Sequence, residues 1–199
     1  MNNSQFSNSP IIIVMSGLVS LLAYLAIVYL LHIRRLNITW KSIGFDFKNL
    51  GRQVWLGIKI CFILDITGLI WDFSLVKLGL SSEHGPAGQL TAVSSSTELL
   101  FAFVFSAVLI GAFTEELFFR GFIFSYLKNK FGFLKGAVLS AVMFSVAHGI
   151  SYNTPLLFFH GLIYAGAYNG NNLLLPIIIA HSLRNLTVLG YNYFGIILW

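Results

Sequence analysis

Glu115, Glu116 and Arg120 interrupt a run of Phe, Leu, Ile and Val in the stretch TEELFFR, and their types and spacing could do chemistry. Within residues 99–199 these two glutamates are the only acidic side chains. An ionisable group at mid-membrane costs about 2.5–3.5 kcal/mol on insertion scales, so each implies a use or a partner. Standing four residues apart, Glu116 and Arg120 share a helix face and can pair. Glu115 points roughly 100° away from Glu116. The spacing therefore predicts one carboxylate neutralised by arginine and one left free.

Two histidines fall into place beside them. His148 closes the stretch FSVAH, and His181 opens HSLRN, which puts Asn185 one turn further along the same helix face. With a rise of about 1.5 Å per residue, Glu115 lies about 20 Å from Lys128, His148 about 20 Å from Lys135, and His181 about 14 Å from the turn at Asn172. Helices of alternating direction then bring Glu115, His148 and His181 to one level of a hydrocarbon core about 30 Å thick. A glutamate and two histidines at one depth, with an amide nearby, could activate water and stabilise an oxyanion. They could also hold zinc, for which Glu115, His148 and His181 supply common ligand types. No helical His-Glu-x-x-His pattern is present, so local spacing does not choose between the two chemistries. A polar clasp between helices and a proton relay are the simpler readings of the same residues.

The elements that must position these groups are membrane helices. The chain of 199 residues is 57% hydrophobic and 10% charged, with a positive mean hydropathy, which places it outside the soluble globular class. The apolar runs predict helices over about 11–33, 54–80, 99–127, 133–148, 155–168 and 173–191, six spans in all, with the tail YNYFGIILW as an extension or a seventh segment. The first run follows a segment without basic residues and reads as a membrane helix rather than a cleaved leader. Lys59, Asp65, Asp72 and Lys77 in the second run require a face that meets protein or water.

Basic residues gather in two loops, Arg34 to Arg52 and Lys128 to Lys135, whereas the loop SSEHGPAGQLTAVSSST has none. Their distribution puts the basic loops in the cytoplasm, the N-terminus outside, and Trp40, Phe45 and Phe47 at the interface. Membrane orientation thus accounts for the net charge of +5 without a nucleic-acid partner. The one cysteine, Cys61, allows neither an intramolecular disulfide nor a cysteine-based metal site. Thr154 before Pro155 reads as a helix N-cap, and Pro176 fits a first turn. We divide the chain into a two-helix segment, 1–96, and a site-bearing core, 97–199.

Three stretches in this order, EELFFR, FSVAH and HSLRN, resemble the Glu-Glu-x-x-x-Arg, Phe-x-x-x-His and His-x-x-x-Asn motifs of the CAAX protease and bacteriocin-processing (CPBP, or Abi) intramembrane proteases. The resemblance covers about residues 97–190. It implies an all-α polytopic membrane bundle with the family's core in helices 3 to 6, and an endopeptidase that is itself a multi-pass protein of the bacterial plasma membrane. By analogy, Glu115 activates the attacking water with help from His148, His181 and Asn185 orient the carbonyl and stabilise the oxyanion, and Glu116 and Arg120 organise the site. Family members are labelled metalloproteases, yet the same residues support metal-free hydrolysis. The substrate expected is a membrane-associated peptide or protein reached from the cytoplasm, as in bacteriocin or peptide processing or self-immunity. A non-catalytic immunity or scaffold protein on the same fold is the rival, and a small proton-coupled transporter is the third reading. His160 is an extra histidine that packs or lines a cavity, or else joins a metal shell. Arg184 needs a partner within the helix bundle or must snorkel.

Overall fold

The computed structural model describes residues 9–34, 39–80 and 96–193, and among them there is no strand. Six helices follow one another. α1 is Pro10–Ile27, continued by a π-helical turn, Val28–Arg34; α2 is Leu50–Lys77; α3 is Thr97–Phe131; α4 is Phe133–Ala147; α5 is Thr154–Asn171; and α6 is Leu175–Tyr193. The first three are long and apolar enough to cross a membrane, and α4 is apolar but shorter. The architecture is the all-α membrane helical bundle that the composition requires. Large apolar side chains such as Ile11, Val19 and Leu22 on α1 and Phe62 and Ile70 on α2 stand exposed, a surface suited to lipid.

The helices end where the sequence supplies a backbone that can turn. Gly132, at φ 83°, separates α3 from α4, and Asn172, at φ 50°, ends α5. α2 starts earlier than its apolar run, and the Gln53 side chain ties its polar first turn to the preceding loop, donating to the carbonyls of Asp46 and Lys48 at 2.7 Å each. Thr154 is the first helical residue of α5 rather than its cap. Its hydroxyl instead accepts from Ser151 N and donates to Gly149 O, closing the α4–α5 turn.

The α1–α2 connection and the α5–α6 turn meet at one end of the bundle. Leu174 N donates to Gly44 O at 2.9 Å, and the Tyr168 hydroxyl to Ile43 O at 3.0 Å. Gly44 is needed there: its φ is +97°, and a Cβ would stand 2.9 Å from Leu174 N. Lys128 at the end of α3 lies against Gly136 at the start of α4, and Ser125 lies 3.4 Å from the Tyr168 hydroxyl. This is the arrangement that six alternating helices with short turns require. The segment before α2 is anchored to the bundle through Ile43, which is buried, while Trp40 and Phe47 are exposed. Arg35, the loop over 81–95 and the tail from 194 lie outside the described residues.

The packed interior fills the end nearest these turns. Phe124, Tyr168, Leu174 and Ile177 are buried there, and Leu117, Tyr164 and Phe144 carry the core on towards the α4–α5 turn.

Candidate active site

α3 is not a uniform α-helix. Two π-helical stretches, Val104–Gly111 and Leu117–Phe124, flank the α-helical turn Ala112–Glu116 that carries both glutamates. Such stretches widen a helix and recur at functional sites. Hydroxyls serve carbonyls along them: Thr114 donates to Ile110 O at 2.8 Å, and Ser125 to Arg120 O, five residues back, at 3.0 Å.

Glu116 and Arg120 pair as their spacing predicts. Arg120 Nη1 donates to Glu116 Oε1 at 3.0 Å with both side chains fully buried. Arg120 Nη2 reaches Gly161 O at 3.3 Å. The guanidinium carbon lies 4.3 Å from the Phe144 ring centre and 4.8 Å from that of Tyr164, so two aromatic faces replace water around the charge. Gly161 permits this closeness. A Cβ on it would stand 2.9 Å from Ala141, so α4 and α5 touch through their smallest residues.

His181 joins the buried pair from α6. Its Nδ1 stands 2.7 Å from Glu116 Oε1, and its ring stacks on Tyr164 with centroids 5.3 Å apart. His148, at the C-terminal end of α4, has Nδ1 2.8 Å from Phe144 O. A carbonyl or carboxylate oxygen only accepts, so both Nδ1 atoms carry protons. In the neutral rings the lone pairs are then on Nε2, and both Nε2 atoms face one oxygen, Glu115 Oε2, at 3.3 Å for His148 and 3.9 Å for His181. That oxygen is buried and has no aligned hydrogen-bond donor. Three acceptors meeting in this way need a proton among them, from a water or from a second protonation of a ring. This is the arrangement a water-activating base requires.

The site is graded in depth. Arg120 and Glu116 are wholly buried and the His181 side chain is 6% exposed, whereas those of Glu115 and His148 are 27% and 30% exposed. The exposed members lie towards the α4–α5 turn, away from the end where the basic loops gather.

Asn185 sits one turn beyond His181, as predicted, but donates to Ala107 O of α3 at 3.1 Å and has no bond to Glu115. One of its two amide N–H groups is thus spent on the first π-helical stretch. His160 is turned away, with Nε2 3.0 Å from Thr67 Oγ1 of α2. Arg184 finds its partner in Asp65, Nη1 to Oδ1 at 3.1 Å, and Lys59 lies over the Trp55 ring. Tetrahedral ligands about 2.1 Å from zinc stand about 3.4 Å apart. His148 meets that separation from Glu115 and His181 does not, and among the described residues no three His, Cys, Asp or Glu side chains could hold a metal ion. Glu115, His148 and His181 therefore do not form a three-ligand zinc set.

Sequence reasoning missed Phe144, Tyr164 and Gly161. Phe144 had a signal, since it opens FSVAH and faces His148 one turn on, with ring centroids 4.6 Å apart. Tyr164 and Gly161 had none that set them apart from the other tyrosines and glycines.

Residues 97–187 match the family model described as Rce1-like, type II CAAX prenyl endopeptidase. This segment belongs to the CAAX protease (CPBP) family. The CPBP match begins at the first residue of α3 and ends within α6, so it contains Glu115, Glu116, Arg120, His148, His181 and Asn185, while α1 and α2 precede it. The match likens this segment to CAAX-type intramembrane proteases, and the long apolar helices are those of a membrane protein. No curated protein and no solved structure matches the chain significantly.

Proposed function

We propose that the chain hydrolyses a peptide bond of a membrane-associated peptide or protein by a water activated at Glu115. The observation that carries this reading is the pair of Nδ1-anchored histidines whose Nε2 atoms converge on Glu115 Oε2. A water held between Glu115 and His148 gives a proton to the Glu115 carboxylate as its oxygen bonds to the carbonyl carbon. The free amide N–H of Asn185 and the His181 ring receive the oxyanion; Glu116 on Nδ1 supports a second proton on His181, donated through Nε2. When the carbon–nitrogen bond breaks, the proton taken by Glu115 passes through His148 to the leaving amine. Arg120 fixes Glu116, and the Phe144 and Tyr164 rings fix Arg120.

The protease core is 97–199, with 1–96 an added two-helix segment, and six crossings of a bacterial plasma membrane account for the alternating helices. The substrate class is a membrane-associated peptide, including precursors of the bacteriocin type and prenylated C-terminal peptides. Its bond enters from the α4–α5 end. Among the described residues, basic loops in the cytoplasm and entry from the cytoplasm cannot both hold with this opening, because the two lie at opposite ends.

The test is cleavage of a fluorescence-quenched prenylated peptide by the purified protein in liposomes. Cleavage by the native chain, its loss in Glu115→Gln, and its persistence after exhaustive chelation are expected. Activity retained by Glu115→Gln, or lost to chelation and restored by zinc alone, overturns the mechanism. Cysteines placed at Lys130 and Tyr152, with Cys61 replaced, decide the compartment: an impermeant thiol reagent added outside should label position 152 and spare 130.

A further inference from the structure

α2 precedes the matched segment, yet its middle is bonded to two helices of the core. Arg184 Nη1 of α6 donates to Asp65 Oδ1 at 3.1 Å, and Cys61 Sγ donates to the other Asp65 oxygen at 3.4 Å. Thr67 spends its hydroxyl hydrogen on Leu64 O at 2.9 Å, so its oxygen accepts from His160 Nε2 of α5 at 3.0 Å. Two glycines bring the helices close enough. A Cβ on Gly57 would stand 2.7 Å from Ile179 of α6, and one on Gly68 would overlap the Arg184 guanidinium.

Arg184 lies between His181 and Asn185 in the chain. On the helix it stands about 60° from His181 and about 100° from Asn185. A fixed guanidinium on the α2 side therefore sets the rotation of α6, and with it the direction in which His181 and Asn185 face α3. Gly57 sets how closely α6 can approach. The Thr67–His160 bond holds α5, whose Tyr164 stacks on His181, against the same helix.

We infer that Asp65 and Thr67 are positioning residues for the proposed hydrolysis, acting through α6 and α5 on His181 and Asn185, so that α2 is part of the enzyme rather than only an anchor. This rests on the roles given above to His181 and Asn185. Because a misplacement of about 1 Å costs on the order of a hundredfold in rate, Asp65→Asn should lower kcat per folded molecule about tenfold to a hundredfold and leave KM nearly unchanged. Asp65→Glu, which keeps the charge, should recover most of the rate. Thr67→Val, a milder change, should shift kcat in the same direction and serves if Asp65→Asn does not fold. In parallel, nitrogen NMR of histidine-labelled protein in nanodiscs should show the His181 Nδ1–H signal displaced in Asp65→Asn. Lowered thermal stability with kcat per folded molecule unchanged in both variants overturns the inference. If the native chain cleaves nothing, the hydrolytic reading falls and the NMR still decides: a His181 signal unmoved by Asp65→Asn overturns the positioning, and a displaced one supports it.

Discussion

The deep half of the site and its shallow half use the same residue types to opposite ends. In the deep half, Glu116 meets Arg120 and His181, and Arg120 also meets a carbonyl and two aromatic faces, all out of contact with water. In the shallow half, Glu115 Oε2 meets only two Nε2 atoms and lacks an aligned donor. A carboxylate that takes two donors on one oxygen, as Glu116 does on Oε1 while its buried Oε2 has none, has its charge largely spoken for. One that faces acceptors is ready to take a proton. The difference between neighbours in sequence comes from a turn of roughly 100° about the helix axis.

Breaking the deep half should have the largest effect. Arg120→Leu leaves Glu116 buried with His181 as its remaining donor, a loss of about 3–5 kcal/mol for a broken buried pair. Little folded protein should survive solubilisation, as size-exclusion chromatography in detergent will show, and Glu116→Gln alone should lose folded protein and activity in the same sense. A stable Arg120→Leu protein erases the contrast between the halves.

Glu115→Gln should do the reverse, leaving the melting temperature in detergent near that of the native chain while cleavage falls by about two to four orders of magnitude. Next comes Asn185→Ala. Loss of an oxyanion donor typically costs about a hundredfold or more in kcat, and loss of the bond to Ala107 O should lower stability slightly, so a rate assay paired with a melting curve separates the two contributions. The smallest effect is expected at Gly161→Ala, where a methyl group 2.9 Å from Ala141 overpacks the α4–α5 contact by about 1–3 kcal/mol. Thermal denaturation measures it. An unaltered melting temperature there indicates that the deep half is looser than its distances suggest.

What the sequence made legible follows from what spacing encodes. The level shared by Glu115, His148 and His181 could be read because the axial rise is constant and the turns are marked by lysines, Gly132 and Asn172. Pairing of Glu116 with Arg120 could be read because it is local. Asp65 and Arg184 lie 119 positions apart, and sequence says only that each needs a partner. FSVAH marks Phe144, but the ring of Tyr164 could not be told from lipid-facing aromatics, since composition is alike on both sides of a membrane helix. The π-helical stretches of α3 carry no compositional mark, so the bond from Asn185 to Ala107 O, which draws that amide towards α3, was beyond reach.

The brevity of α4 has a consequence for the surrounding lipid. Its 15 residues span about 22 Å, against a hydrocarbon thickness of about 30 Å. With α4 as one of the crossings proposed above, Gly149, at φ 85°, would turn the chain below the level of the far headgroups. A stretch too short for its bilayer draws the interface inward, thinning the membrane around it. Headgroups and their hydration would dip beside His148, bringing the water that hydrolysis consumes to the catalytic level. A substrate could then present its bond at the dimple without carrying polar backbone to the midplane.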